Sequence, residues 1–313
     1  MTNLALADYQ ETAIAAWRHA LAEELPETTI SRYARYMRRF AGWLAKEHPD
    51  ISLAAVRRAD VVEYRDVLMA SYAPATTHLH LASIKSFYYW AVDAGHLDRS
   101  PAERVKLPGK RTDASRQPYA REELTDDEIR AVLHTCGDGQ VDRRDRAILA
   151  LMAYTGLRTV EIHRANFEHL QTRKGRMVLW VQRKGRAAVD GYVILPPAAE
   201  QALRDYLQDH PRPGGPLFVS LNKGRHQRLT KNTIRRMVKR RLRRCGINSP
   251  TKTTHSLRHS AVTNALRHGA NVAQLQAMTG HTDPKTLLRY YHQHDRISDA
   301  AEDRIDYDPP DSD

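Results

Sequence analysis

The chain has 313 residues, of which 41% are hydrophobic, and it carries a formal net charge of +12. This length and composition exclude a disordered chain or a small stapled scaffold, and they allow two domains, since single cores usually stop growing near 250 residues. The two cysteines form no CxxC pair, which excludes a disulfide framework and a thiolate zinc site. The longest apolar run, Ala147 to Tyr154, is too short for a membrane span. We therefore expect a reduced, cytoplasmic protein.

The first hundred residues are predicted to form four or five helices. One helix begins at a cap on Thr28 or Thr29 and ends near Glu47, because apolar residues repeat there at three- and four-residue steps. Another is expected to follow Asp60, and a third runs from Pro74 to a stop at Gly95. We therefore expect a helical domain over residues 1–103, with three cations of its own that can contact phosphate: Arg32, Arg35 and Lys85.

A linker is predicted over residues 104–119, where proline, basic and small polar residues show no hydrophobic period. A second, mixed α/β domain follows over residues 120–294, and Thr125 with Glu128 matches a capping box at its first helix. Its β signal lies at Met177 to Val181 and Tyr192 to Leu195, which predicts a hairpin with a long basic loop.

The positive charge is concentrated in the second domain. Residues 1–107 are neutral, residues 108–294 have a net charge of +18, and residues 295–313 have −6. Between His210 and Thr282 there are 15 Lys and Arg and no Asp or Glu. Such a field favours a polyanionic partner, above all nucleic acid, and a phosphate site in this segment has no carboxylates to hold magnesium. The apolar stripe of the helix in Leu229 to Cys245 leaves cations for phosphates: Arg235, Arg236, Lys239, Arg240 and Arg243.

Two arginine-containing motifs stand out in this domain. At TGLRTVEI an apolar helix runs into a glycine and then Arg158, which projects a guanidinium from a helix end. At THSLRH, His255 and Arg258 are three residues apart and share a helix face. His259 is also one turn from His255, so the spacing alone does not choose between Arg258 and His259.

A third motif, TGHTDP, ends one helix on Gly280 and starts the next with Asp283 as cap, which places His281 in a tight turn. The next helix carries two adjacent tyrosines. Tyr291 has leucines three and four residues before it and is predicted to be core, whereas Tyr290 is rotated by about 100° and can face elsewhere.

Taken together, these motifs resemble the tyrosine recombinases or phage integrases, in the simple Xer-like two-domain form, over nearly the whole chain. The resemblance implies a mainly helical protein with a small β-hairpin, in which a SAM-like core-binding domain and a catalytic domain close on duplex DNA as a C-shaped clamp. It also implies the site residues: Arg158, Lys184, His255, Arg258, His281 and the nucleophile Tyr290, with Glu161 in support. The implied activity is site-specific DNA cleavage and rejoining through a 3′-phosphotyrosine, with strand exchange via a Holliday junction and no metal or cofactor.

The resemblance further implies a tetramer on paired DNA sites, with the acidic segment 295–313 docking on a neighbouring protomer. Three alternatives stay open: a type IB-like topoisomerase, a catalytically silent DNA-binding protein of the same fold, and a His-rich metalloprotein. The DNA target, the biological role and any accessory recombination proteins do not follow from the sequence.

Overall fold

The computed structural model describes residues 3–106, 122–183, 185–208, 210, 214–221 and 226–280, with side chains from residue 10 onward. The chain divides into two compact units, Met1–Gln117 and Pro118–Asp313. The fold is mostly helical with one small antiparallel sheet, which confirms the predicted fold class. Most of the linker predicted at 104–119 lies outside the described residues, so the domain boundaries stay a prediction. Within the described part, every helix is too short or too polar to traverse a lipid bilayer.

The first unit is built from four helices in its described residues: α1 Asn3–Leu21, α2 Glu27–Glu47, α3 Arg58–Ser71 and α4 Pro74–Asp93. Helix α2 packs against α1 and α4. The stripe predicted for α2 faces the core, because Ile30, Met37, Phe40 and Leu44 are buried there. Trp17 of α1 meets Phe87 of α4 edge to face, with ring centroids 5.5 Å apart.

The predicted starts of two helices in this unit were wrong. Helix α2 begins at Glu27 behind Pro26 rather than at a Thr28 or Thr29 cap, because the extended Pro26 already presents its carbonyl to the N–H of Thr29 at 2.8 Å. Helix α3 begins at Arg58, and Asp60 lies inside its first turn, where its carboxylate accepts the N–H of Arg57 at 2.7 Å. Asp60 thus caps the helix from within its first turn, and a start placed after this residue is later than the observed one.

The second unit contains a 3₁₀ turn at Phe167–His169 and the remaining elements: α5 Asp126–His134, α6 Gln140–Thr155, α7 Thr159–Arg164, β1 Leu170–Arg173, β2 Arg176–Val181, β3 Gly191–Ile194, α8 Pro197–Leu207, α9 Lys231–Arg244, α10 Thr254–Arg267 and α11 Val272–Thr279. The predicted capping box at the start of α5 is confirmed, since the Thr125 hydroxyl accepts the N–H of Glu128 and the Glu128 carboxylate accepts the N–H of Thr125.

The sheet has the strand order β1-β2-β3, with both pairs antiparallel. The predicted hairpin is confirmed, since Val178 pairs with Ile194 and Val181 pairs with Gly191. Strand β1 was not predicted, because Leu170 is its one apolar residue and its other three side chains are exposed. Tertiary pairing with β2, rather than local alternation, makes this segment a strand.

Helix α6 forms the centre of the second unit. All residues from Ala147 to Ala153 are buried, so the longest apolar run of the sequence lies in a helix and is surrounded by protein except at its last residue, Tyr154. It packs against α8 and α10, while α11 packs against β3. The described motif residues Arg158, His255 and Arg258 lie after the end of α6 and near the start of α10.

Candidate active site

Arg158 lies at the junction of α6 and α7. Helix α6 stops at Gly156, which takes the left-handed conformation with φ of 65°, and Arg158 then caps α7. Glu161 is 1% exposed and holds Arg158 twice: its carboxylate accepts the backbone N–H at 2.8 Å and Nη1 at 3.0 Å. The guanidinium is thus oriented by a buried carboxylate within its own helix turn.

Arg258 lies in the second turn of α10 and is 6% exposed. Its Nη1 donates to the carbonyl of Gly156 at 2.5 Å, and its Nη2 donates to the carbonyl of Thr279 at 3.0 Å. A Cβ on Gly156 would lie 3.7 Å from Cγ of Arg258, so the α6 turn passes directly over the arginine stem. Arg258 therefore links the ends of α6 and α11.

The two arginines meet at one oxygen. Nη1 of Arg158 donates to the Thr279 carbonyl at 3.3 Å, and Nη2 of Arg258 donates to the same carbonyl. Thr279 is the last residue of α11, where carbonyls lack partners within the helix and carry the negative end of its dipole. Two guanidiniums from separate helices thus meet at one partially negative oxygen, so the fold holds two cationic side chains close together at this point.

His255 lies one turn before Arg258, at the start of α10, and its side chain is exposed. Its backbone N–H donates to the Thr253 hydroxyl at 3.2 Å, so the helix start that carries the imidazole is capped. His259, the residue that spacing alone did not separate from Arg258, is half-buried. The guanidinium of Arg258 is the group that reaches the carbonyls of Gly156 and Thr279.

Three predicted residues, Lys184, His281 and Tyr290, lie outside the described residues. A described neighbour exists for the first two of these: Arg183 precedes Lys184, and Gly280, which precedes His281, ends α11 in the left-handed conformation, as predicted from its motif, with φ of 66°. Arg183 packs against it, so that a Cβ on Gly280 would lie 2.1 Å from Cδ of Arg183. Sequence reasoning did not assign a role to Arg183, because nothing in the pattern RKGR separates a buried arginine from an exposed one.

The cations predicted to bind DNA differ in their surroundings. Arg235 and Arg236 are exposed on α9, as is Arg32 on α2. Lys239 is half-buried and donates to the carbonyls of Ser249 and Lys252, the latter at 2.8 Å. Arg240 donates to the buried carboxylate of Asp145 at 3.0 Å.

In the first unit, the Arg35 guanidinium lies 5.3 Å from the centroid of the Tyr36 ring. Lys85 is half-buried, and its ammonium is 3.4 Å from the carbonyl of Glu103.

Among the residues that the structure describes, no three His, Cys, Asp or Glu side chains cluster as metal ligands would.

Comparisons with known proteins agree with this architecture. The model of the phage integrase family matches residues 122–296, and that of the phage integrase N-terminal SAM-like domain matches residues 14–95. Tyrosine recombinase XerD of Pseudomonas putida is 28% identical over 285 residues, which cover 87% of this chain and 89% of that protein.

Two solved structures share the fold. The XerH site-specific recombinase bound to its palindromic difH substrate has a TM-score of 0.68 at 19% identity, covering 87% of this chain and 78% of that one. The lambda integrase tetramer bound to a Holliday junction has a TM-score of 0.68 at 15% identity, covering 92% and 79%. The family matches span both units, so this chain belongs to the phage integrase family and is related to the Xer tyrosine recombinases.

Proposed function

We propose that this protein is a site-specific DNA recombinase that cleaves and rejoins strands through a covalent 3′-phosphotyrosine intermediate, with strand exchange via a Holliday junction. The observation that carries the proposal is the convergence of Arg158 and Arg258, from separate helices, on the carbonyl of Thr279. The XerD relative and the DNA-bound recombinases of the same fold support the assignment to this chemistry.

The paired guanidiniums suit a phosphodiester under attack. A nucleophile that adds to phosphorus builds negative charge on the nonbridging oxygens, and fixed donors that face those oxygens stabilise that charge without reorganising. Arg158 is fixed by Glu161, and Arg258 is fixed by two helix-end carbonyls. Removal of one such donor is expected to cost about 2.7–4 kcal/mol of transition-state stabilisation, by comparison with other oxyanion sites.

The remaining roles follow the family resemblance. The phenol oxygen of Tyr290 attacks phosphorus, and a new P–O bond to tyrosine forms as the bond to the 5′ oxygen breaks. His255 takes the phenol proton, Lys184 gives a proton to the departing 5′ oxygen, and His281 donates a hydrogen bond to a nonbridging oxygen. The phosphodiester energy is kept in the tyrosyl ester, so religation to another strand's 5′ hydroxyl needs neither a metal nor a nucleotide.

DNA affinity in this proposal comes from the basic second domain. Arg235 and Arg236 are exposed on α9, where Arg235 donates to Asn232 of its own helix turn. Lys239 and Arg240 instead bond to groups of other segments. We therefore assign Arg235 and Arg236 to phosphate contacts. Residues 1–103 add local contacts, and the linker 104–119 lets the two domains close on the duplex as a clamp.

Recombination also requires two DNA sites to be held together. The lambda integrase of the same fold is a tetramer on a Holliday junction, and we propose the same stoichiometry for this chain on paired sites. The acidic segment 295–313 would dock on the basic domain of a neighbour. Deletion of residues 296–313 is expected to lower the fraction of tetramer on DNA in analytical ultracentrifugation, and an unchanged fraction would remove the docking role.

The proposal is tested by trapping the covalent intermediate. Genomic fragments carrying a nick near the cleaved phosphate release the downstream strand and prevent religation, so an active enzyme accumulates as a protein–DNA adduct. We expect an adduct with the unaltered protein and with Tyr291→Phe, and none with Tyr290→Phe. Adduct formation by Tyr290→Phe, or no adduct with the unaltered protein on any sequence, would contradict the proposal.

The same adduct separates the alternative functions. A type IB-like topoisomerase would relax supercoiled DNA without site preference and leave no recombinant product between two paired sites. A silent DNA-binding protein of this fold would bind fragments but never become joined to them. Activity that survives EDTA would dismiss the metalloprotein.

A further inference from the structure

Arg183, two residues after the end of strand β2, is a buried cation for which the proposed mechanism has no use. It is 8% exposed, whereas the loop residues 185–190 that follow are exposed. Among the described residues, no carboxylate forms an ion pair with its guanidinium. Burial lowers the pKa of Arg183 from its usual value, which the more distant charges of Glu161 and Asp190 partly offset. A cation in such a place is costly unless its surroundings are arranged for it.

The surroundings of Arg183 are arranged in this way at the end of α11. Its Nη2 donates to the carbonyl of Ala277 at 3.0 Å, and its Nη1 donates to that of Met278 at 3.3 Å. These are carbonyls of the last helix turn, at the negative end of the helix dipole. The next carbonyl, that of Thr279, is the one shared by Arg158 and Arg258. Three guanidiniums therefore occupy three consecutive carbonyls at one helix end.

Two glycines leave the space that the Arg183 side chain fills. A Cβ on Gly280 would lie 2.1 Å from Cδ of Arg183, and a Cβ on Gly191 would lie 3.2 Å from its Nε. Gly191 has no left-handed backbone conformation that would require glycine. It stands in a strand, where glycine is unfavourable unless another group approaches closely. The approach of Arg183 supplies a reason for glycine at this position.

The backbone of Arg183 is also tied down. Its N–H donates to the Asp190 carboxylate at 3.0 Å, and its carbonyl accepts Nη1 of Arg164 at 3.3 Å. Backbone and side chain together join the end of β2 to α7 and to α11. The residue that follows in the sequence is Lys184, the general acid of the proposed mechanism, so Arg183 determines the point from which the lysine-bearing loop departs.

We propose that Arg183 is a positioning residue for DNA cleavage, which anchors the β2 end to the α11 C-terminus so that Lys184 can protonate the departing 5′ oxygen. This inference rests on the proposed function. Arg183 does not touch DNA in this proposal; its guanidinium lies between two glycines and the end of α11. Arg183 acts by positioning Lys184, the next residue in the chain.

The test compares two leaving groups in single-turnover cleavage with excess protein on a nicked substrate. One substrate carries the natural 5′-bridging oxygen, and the other carries sulfur at that atom. Thiols have a far lower pKa than alcohols, about 8.5 for the cysteine thiol, so a departing thiolate needs no general acid. Arg183→Met keeps a long apolar stem and removes the donors, and Lys184→Ala removes the acid itself.

We expect Arg183→Met to slow cleavage of the oxygen substrate by about 100-fold, the effect of misplacing a catalytic group by about 1 Å. With the sulfur substrate, its rate should return to within a few-fold of the unaltered protein, as for Lys184→Ala. Arg158→Ala should stay slow on both substrates. The matched control is Arg186→Met, which removes an exposed arginine of the same loop, paired with Asp190 at 3.4 Å, and should change neither rate more than about twofold.

A second variant keeps the proposal testable if Arg183→Met does not fold. Gly191→Ala keeps the guanidinium and adds a methyl 3.2 Å from Nε, so it should give a smaller, sulfur-rescued loss that disappears when Arg183 is already Met. Equal slowing on both substrates, or full activity of Arg183→Met on the oxygen substrate, would overturn the role of Arg183. If the unaltered protein forms no adduct with either substrate, the proposed function fails, and the role of Arg183 fails with it.

Discussion

Asp145 is a buried carboxylate in α6 that we expect to dominate the stability of the second unit. It has no exposed surface, and its Oδ1 accepts Nη2 of Arg144 at 2.9 Å. Its Oδ2 accepts Nη2 of Arg241 at 2.7 Å and Nη2 of Arg240 at 3.0 Å. Arg241 is 1% exposed, so the loss of the carboxylate charge leaves a guanidinium that water cannot reach. Breaking a buried ion pair in this way typically costs about 3–5 kcal/mol.

For Asp145→Asn we expect a loss of about 3 kcal/mol, at the low end of that range. Arg241 keeps a second carboxylate, Asp142, and donates to the Thr135 carbonyl at 2.8 Å, while asparagine retains one acceptor oxygen. If the free energy of unfolding falls by about 3 kcal/mol per molar urea, the urea concentration at the unfolding midpoint should fall by about 1 M, as measured by circular dichroism.

The control for Asp145→Asn is Glu200→Gln, which breaks the more exposed pair between α8 residues Glu200 and Arg204 and should cost about 0.3–0.5 kcal/mol. Equal losses for the two variants would refute the assignment, because burial would then have no effect on the cost of removing a carboxylate.

Three further perturbations test other parts of the molecule. Glu161→Gln should lower the cleavage rate by about 100-fold and leave DNA affinity within a few-fold, because Arg158 loses its charged partner, and single-turnover kinetics with a binding titration measure both. The free energy of unfolding of the first unit should fall by about 2 kcal/mol between pH 7 and pH 5. Burial lowers the pKa of His80 to about 4 in the folded protein, so as the pH falls the unfolded chain binds a proton before the folded protein does. Replacing Arg235 and Arg236 by alanine should weaken DNA binding and reduce the logarithmic salt slope by about 2, measured by anisotropy between about 50 and 200 mM salt.

Each of these predictions has a control. A Glu161→Gln protein that loses affinity and rate in proportion would place the glutamate in DNA binding instead. The stability effect of His80 is complete above its unfolded pKa and is lost as the pH falls from about 6.5 to 4. It should vanish in His80→Gln and persist in His78→Gln, which replaces an exposed histidine. For the salt slope, Arg204→Ala removes an arginine that is paired with Glu200, and an equal change in slope would show that α9 has no special part.

Local patterns were sufficient for the helices whose signals lie within one turn. The capping box at Thr125, the apolar stripe of α9 and the stop at Gly280 were all predicted and are all present. The errors have two sources, a distant pairing partner for strand β1 and unusual local capping for helix α2. Strand β1 has little apolar alternation and exists because it pairs with β2, and α2 starts at a proline geometry that a search for polar caps does not detect.

The candidate site divides in the same way. The motifs placed Arg158, Glu161 and Arg258 in the sequence, but they said nothing about the oxygen that the two arginines share. That oxygen is the Thr279 carbonyl, which lies 121 residues after Arg158 and 21 residues after Arg258. A main-chain acceptor has no residue-type signature, so sequence spacing cannot reveal it. Arg183 was missed for a related reason, since its acceptors are carbonyls 94 and 95 residues away.

The amino-acid sequence by itself determined the class of the protein, the helical pattern of its domains and the excess of positive charge in the second one. Only the tertiary structure decided which of those charges are available. Arg240 and Arg241 lie in a segment without carboxylates, yet Asp145 of α6, 95 and 96 residues earlier, accepts hydrogen bonds from both. The physical reason is that a charge is neutralised by what lies within a few ångströms in space, and chain folding sets that distance independently of sequence separation.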